Sequence, residues 1–459
     1  MTWKPNRTEK RTLFDQIRAW IVEQIEDGHW SNGMRLPSQR KLAEQFGVNR
    51  STIIQVLDEL KAEDVIESRQ GSGVYVKPRG WDFVLRQQTL DWHQRIKQSA
   101  YKVNAQTIQL INEYEALPTT VRLGTGELSP ELIPQTALLK SFSELTLTNQ
   151  ELGYSEPLGS LHLRNTLTSY LERRGIVTKP NNILIVSGAV QALQLLSLGL
   201  LETGTSITTE AASYIHSIPS IPSVSFQASN KKTMYYTIPT LSNPTGKILT
   251  LEERKRLVER CSVNHMPVIE DDVYSELTFD GAPPALKSFD RAGQVLYIGS
   301  VSKCISPGIR VGWLVGPESV VRYLADLKMQ LDYGTSAISQ QLVAQWLNSS
   351  YFYEHIYNLR ASLKKRADFT EAILQKTVGD IAEWESSKGG FYIWLRIKQP
   401  VVTKSLFLAL LKQNILINPG YIYKPNDYHY VRVSYAYCTL DELKRGLIML
   451  ANEVKKRFI

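Results

Sequence analysis

The chain has 459 residues, of which 43% are hydrophobic and 21% charged, with a formal net charge of +8. That is ordinary globular material, long enough for a large core and one small extra domain. The charge alone does not assign a nucleic-acid partner, because residues 1–80 hold 13 Lys and Arg against 11 Asp and Glu and most of the excess lies further on. Cys261, Cys304 and Cys438 are odd in number and widely spaced; they show no metal-ligand pairing and fit a reducing compartment. The first residues, Met1 to Arg7, lead into charged sequence without an apolar core, so no secretory signal is expected. The uncharged stretch Ile183 to Leu201 is broken by Ser187-Gly188 and followed by Gln191 and Gln194, and reads as a buried strand, a turn and a buried helix rather than a membrane span. The expectation is a cytoplasmic protein.

In chain order, Phe14, Ile17, Ile21 and Ile25 recur at three- and four-residue spacing and predict an amphipathic first helix. Pro37-Ser38 opens a second helix over Gln39 to Phe46, with Ser38 as N-cap, and Gly47-Val48 makes the turn. Asn49 is the expected N-cap of a third helix with Ile53, Val56, Leu57 and Leu60 inside. Val65 to Ser68 and Val74 to Val76 then flank Arg69-Gln70-Gly71-Ser72-Gly73 as a two-stranded hairpin. These segments, above all Arg35-Leu36-Pro37-Ser38-Gln39-Arg40 and Val48-Asn49-Arg50-Ser51-Thr52, resemble the GntR-type winged helix-turn-helix of bacterial repressors. The resemblance implies that Arg40 and Arg50 contact double-stranded DNA, supported by Ser51, Thr52 and Gly71. An arginine at a recognition-helix N-terminus can pair with guanine in the major groove. Ile54 stands where relatives often carry another arginine, and Asp64 where they usually carry a turn glycine.

Residues 80–117 mix Trp81, Phe83, Leu85 and Trp92 with polar residues at a weak helical period, and read as a partly helical linker between residues 1–79 and 118–459. From about Val121 strands alternate with helices, the pattern of an α/β domain. Ser187-Gly188-Ala189-Val190 follows an apolar strand and opens a helix, so its N–H groups could hold a phosphate or merely pack a tight turn. Asn243-Pro244-Thr245-Gly246 reads equally well as a plain turn. Ile269-Glu270-Asp271-Asp272-Val273-Tyr274 is an apolar strand ending in carboxylates, where ligand sites of α/β sheets lie, although a helix N-cap cluster would look similar. Ser300-Val301-Ser302-Lys303, with Arg310 seven residues on, puts a lysine amine beside anion-binding groups, which suits a Schiff base with a phosphorylated aldehyde.

Together these segments resemble the class I and II aminotransferases, fold type I of the pyridoxal phosphate enzymes. With the winged domain in front, the chain is similar to the MocR subfamily of GntR regulators. The resemblance implies that Lys303 carries the cofactor as a Schiff base and that Asp271 pairs with the pyridine nitrogen. It further implies that Asn243 and Tyr274 bond the phenolic oxygen, that Tyr214 stacks on the ring, and that Ser300, Ser302, Arg310 and the amides of Gly188, Ala189 and Val190 surround the phosphate. Tyr154 would serve the phosphate of a neighbouring subunit, and Arg432 would take a substrate carboxylate.

Tyr214 and Asn243 stand closer in sequence than that resemblance implies, by on the order of twenty residues, which predicts a lost internal strand or a rearranged sheet. The function implied is a dimeric regulator that senses an amine or amino acid by aldimine exchange at Lys303. A working aminotransferase with an accessory DNA-binding domain, or a DNA-binding protein with a cofactor-free second domain, are the alternatives.

Overall fold

The computed structural model describes residues 3–6, 12–26, 29–31, 33–63, 65–69, 72–77, 103–149, 153–201, 206–218, 224–225 and 233–458. The chain divides into two compact units, residues 1–102 with 403–412, and residues 103–402 with 413–459. The second unit thus begins at Val103, inside the stretch that the sequence assigns to a linker.

In the first unit, helices α1 (Leu13–Glu26), α2 (Gln39–Phe46) and α3 (Arg50–Ala62) precede strands β1 (Ile66–Arg69) and β2 (Gly73–Val76). Ser38 caps α2 by accepting from the Lys41 N–H, and Gly47 ends it at a φ of 66°, a left-handed conformation that suits glycine. Asn49 takes the N-cap position of α3, but its side chain makes no cap bond. Ile53, Val56, Leu57 and Leu60 of α3 are wholly buried against Ile17, Ile21 and Leu42, as the apolar spacing requires. Strands β1 and β2 pair antiparallel, and residues 34–36 add a third rung through Leu36 N to Val74 O (2.8 Å) and Val76 N to Met34 O (2.9 Å). The N-terminal residues are drawn in by Trp3, which stacks on Trp20 at 5.4 Å.

The second unit opens with helix α4 (Gln106–Glu115) and strand β3 (Val121–Arg122). Its main sheet contains β4 (Ile183–Val186), β5 (Ser206–Thr208), β6 (Val224–Ser225), β7 (Thr233–Thr237), β8 (Val268–Asp271), β9 (Val295–Ser300) and β10 (Gly312–Val315), in the order β4-β10-β9-β8-β7-β5-β6. Strand β10 runs antiparallel to both neighbours and the remaining pairs are parallel. Strands β4, β8, β9 and β10 are buried along their whole length, so polar groups at their ends face either protein or a cavity. Helix α5 (Ala189–Leu200) follows β4 directly. A second, antiparallel sheet joins β11 (Ala382–Glu383), β12 (Tyr392–Ile397), β14 (Asn418–Pro419) and β15 (Tyr430–Ser434) in the order β11-β12-β15-β14, while β13 (Ile415–Leu416) pairs with β3. No helix among the described residues is long and apolar enough to cross a membrane.

Between Tyr214 and Asn243, where the sequence predicts a lost internal strand or a rearranged sheet, the described residues include β6 and β7 of the main sheet. The strand that is short is β6, two residues at the outer edge of the sheet, and the central run from β4 to β7 is continuous. An edge strand has a partner on one side only, so shortening it leaves far fewer backbone groups without partners than removing a central strand.

Because Leu57 is wholly buried in the small core of the first unit, Leu57→Ala is expected to cost about 2–5 kcal/mol, read as an earlier unfolding transition of that unit in urea.

Candidate functional site

Alternation along β8 sorts three consecutive carboxylates. Glu270 turns to one face, where its two oxygens accept from the backbone N–H groups of Leu286 (2.6 Å) and Lys287 (2.8 Å). Asp272, two residues on, accepts from Arg174 Nη2 at 3.0 Å and the Tyr297 hydroxyl at 3.1 Å. Asp271 faces the other way, into a cavity of about 380 Å³. Its Oδ2 accepts from the Tyr236 hydroxyl at 2.9 Å, whereas Oδ1 is buried with no partner. Burial pushes the Asp271 carboxyl up to about 6, with the Tyr236 hydrogen bond pulling against it and Asp272 adding to the rise.

The same cavity takes in the turn after β9. Ser300 Oγ donates to Val311 O (3.0 Å), and the Ser302 N–H donates back to Ser300 Oγ (3.2 Å), so the two ends of the turn are tied. Lys303 is half-buried and its Nζ donates to Gly126 O at 2.7 Å. Arg310, in the left-handed region at a φ of 55°, sends Nη2 to Ser187 O at 2.8 Å. Gly188 has a φ of 92°, a conformation that glycine adopts without strain, and a Cβ there would meet that Nη2 at 2.9 Å and press the Arg310 guanidinium aside. Ala189 and Val190 begin α5 beside it, with no acidic residue in the first turn, leaving the helix N-terminus suited to an anion.

The far wall centres on Arg432 of β15, 4% exposed. Its Nη1 donates to Asn243 Oδ1 (2.8 Å) and its Nη2 to Gly124 O (2.6 Å), while Nε is buried with no partner. Its guanidinium lies 4.1 Å from the Tyr392 ring centre and 4.9 Å from that of Tyr423. The Tyr274 and Tyr392 hydroxyls are hydrogen-bonded at 3.1 Å. Tyr214 lines the cavity, where burial and then the Asp271 charge raise its pKa above the ordinary tyrosine value.

Lys303, Asp271, Tyr214, Asn243, Tyr274, Ser300, Ser302, Arg310, Ala189, Val190 and Arg432 therefore share one cavity. Tyr154 does not line it; it is 83% exposed, with its ring 5.4 Å from that of Tyr333. Motif reading misses Tyr392, Asn418 and Tyr423, and the α4 residues Ile108, Ile111 and Glu115. The three- and four-residue spacing of the last three is the one signal that could have found a helix face there. A buried carboxylate oxygen without a partner, a lysine and a glycine-shaped anion cradle around one cavity fit a ring that carries a protonated nitrogen, an aldehyde and a phosphate.

In the first unit, Arg40 and Arg50 stand exposed at the starts of α2 and α3. Arg50 Nη2 reaches Gln39 Oε1 at 3.1 Å and Arg40 Nε reaches Glu44 Oε1 at 3.4 Å. Ser51 is exposed and Thr52 half-buried, its N–H donating to Asn49 O at 3.1 Å. Gly71 lies outside the described residues.

Residues 13–76 match the bacterial regulatory proteins of the gntR family, and residues 225–449 match aminotransferase class I and II. The chain is 39% identical to the HTH-type transcriptional regulator YisV of Bacillus subtilis (strain 168), an alignment covering 99% of this chain and 98% of the relative. It is 36% identical to the HTH-type transcriptional regulator NorG of Staphylococcus aureus (strain bovine RF122 / ET3-1), over 92% of this chain and all of NorG. Among solved structures it is similar to Pyrococcus horikoshii kynurenine aminotransferase, crystallised with PMP, at 25% identity and a TM-score of 0.72, over 80% of this chain and 97% of the aminotransferase.

The raised Asp271 pKa carries a stability consequence. The folded state holds a proton there that an unfolded chain releases near the ordinary value, so this contribution is present below the ordinary range and is lost as pH rises through about 6. Asp271→Asn cannot ionise. In urea unfolding of cofactor-free protein the variant is expected to be more stable at pH 8, by on the order of 3 kcal/mol, and the gap should nearly close at pH 4.

Proposed function

The chain belongs to the GntR-family transcriptional regulators of MocR type, a winged helix-turn-helix joined to an aminotransferase class I and II domain, and on that premise we propose that its larger unit holds pyridoxal phosphate and senses an amine or amino acid. The observation that carries this reading is the unpartnered Oδ1 of Asp271, a buried acceptor in the cavity that Lys303 and Arg432 also line. A ring N–H is the partner it lacks, and a cation there would lower its pKa and keep it charged.

When bound, pyridoxal phosphate supplies a carbonyl carbon that holds one amine at a time. We assign Ser300, Ser302, Arg310 and the amides of Gly188, Ala189 and Val190 to the phosphate, where Arg310 makes charge-assisted bonds. Tyr214 covers the ring face, and Asn243 and Tyr274 serve the phenolic oxygen. Arg432, on the cavity wall, takes the carboxylate of an amino-acid effector. Lys303 would hold the cofactor through its Nζ and, when an effector amine takes that place, would receive the two hydrogens the amine gives up. Tyr154, exposed and outside its own cavity, is assigned to the phosphate of a partner subunit in a homodimer.

Arg40, Arg50, Ser51 and Thr52 form the DNA-reading face, with the two arginines set at helix starts where phosphate and base edges are met. An effector changes DNA binding only if it favours one arrangement of the protein over another. A working aminotransferase with an accessory DNA-binding unit is the second reading; Lys303, Asp271 and Arg432 in one cavity serve it as well as they serve the sensor. Steady keto-acid production from an amino donor and acceptor would support it over the sensor.

Two measurements test the reading. Adding pyridoxal phosphate to the purified protein is expected to produce the visible absorbance band of a lysine-bound cofactor, and Lys303→Ala should show none; a native protein without the band refutes it. In gel retardation with promoter DNA, Arg50→Ala is expected to lose about 1–3 kcal/mol of specific binding.

A further inference from the structure

The charged lining of the cavity is Asp271, Glu115 and Glu127 against Lys303, Arg310 and Arg432. On the reading above, from which this inference starts, Asp271 meets the ring nitrogen, Arg310 the phosphate, Lys303 the carbonyl carbon and Arg432 a carboxylate. Two carboxylates then remain without a cationic counterpart. Glu115 ends the face of α4 that carries Ile108 and Ile111, and its one described hydrogen bond is from the neutral Thr125 Oγ1 at 2.7 Å. Glu127 follows Gly126, whose carbonyl accepts from Lys303 Nζ, so its backbone lies beside the lysine. The segment between them binds the other end of the site as well, with Gly124 O on Arg432 Nη2. Glu115 also acts electrostatically on Arg432 and Tyr423, which places its charge within range of the carboxylate position. Arg432 is buried and lines the cavity, so the wall holds a cation for an anion near surplus negative charge.

We propose that the effector is a diamino carboxylic acid: one amine exchanges at Lys303, the carboxylate meets Arg432, and the second, protonated amine is taken by Glu115, with the exposed Glu127 adding negative charge to the same lining. A side chain ending in a carboxylate is disfavoured by the same two glutamates, because no free cation remains in the described wall to receive it. A neutral side chain satisfies Arg432 and leaves the glutamates unpaired.

The test titrates the cofactor-loaded full-length protein with L-ornithine, L-lysine, L-norvaline and L-glutamate, following the visible band. Ornithine or lysine is expected to bind about tenfold more tightly than norvaline, the size of one hydrogen bond between charged groups, and glutamate more weakly than norvaline. In Glu115→Gln the ratio of diamino acid to norvaline affinity should fall toward one, and Glu127→Gln should lower it in the same direction. Equal binding of norvaline and the diamino acids, or a ratio untouched in both variants, overturns the inference while leaving amine sensing intact. If the band forms but no amino acid moves it, the sensing reading itself fails and this inference with it.

Discussion

The site is organised around one unfavourable burial. Asp271 sits at the end of β8 on the cavity wall, with one carboxylate oxygen bonded to Tyr236 and the other buried without a partner. Leaving such a group buried costs free energy that packing elsewhere must offset. The surrounding sheet supplies that support: β8 lies between β7 and β9, and on the opposite face Glu270 accepts from two backbone N–H groups and Asp272 Oδ2 from Arg174 and Tyr297. The unmet acceptor is therefore held at a fixed point, and the lysine turn, the anion cradle and Arg432 are arranged around it.

How much of this was legible in the sequence depends on whether chemistry or packing set the residue. The boundaries of α2 and of β4, and the inner face of α3, follow from local rules: an N-cap serine, a glycine in the left-handed region, and apolar spacing. The carboxylate run of β8 announces a strand end at a ligand site, and period two decides that Asp271 alone of the three faces the cavity. Glu115, Tyr392 and Tyr423 were not legible, because each is brought to the cavity by tertiary contacts from α4, β12 and the segment after β14, without a motif of its own. For the Tyr214 to Asn243 interval, sequence length does not say which strand or connection is shortened. An edge position tolerates the loss that a central one would not.

Membership of a regulator family and the geometry of an aminotransferase cavity ask different things of one chain. Catalytic turnover needs product to leave, whereas a sensor needs two states that a ligand tells apart. Both uses need the same lysine, aspartate and arginine, so those residues cannot separate them. Wall residues that choose the ligand, such as those of α4 and the 124–127 segment, are where a sensor's identity would be written.

The pairing of Ser300 with Gly312 across β9 and β10 closes residues 301–311 into a loop whose two ends lie one ladder rung apart. The entropy of closing that loop is spent during folding, not during ligand capture. Lys303 and Arg310, which lie within it, therefore reach a ligand with the spacing of their backbones already limited by the closed loop. Preorganisation of that kind raises affinity without adding a contact, and it directs any movement that accompanies binding toward segments outside the loop.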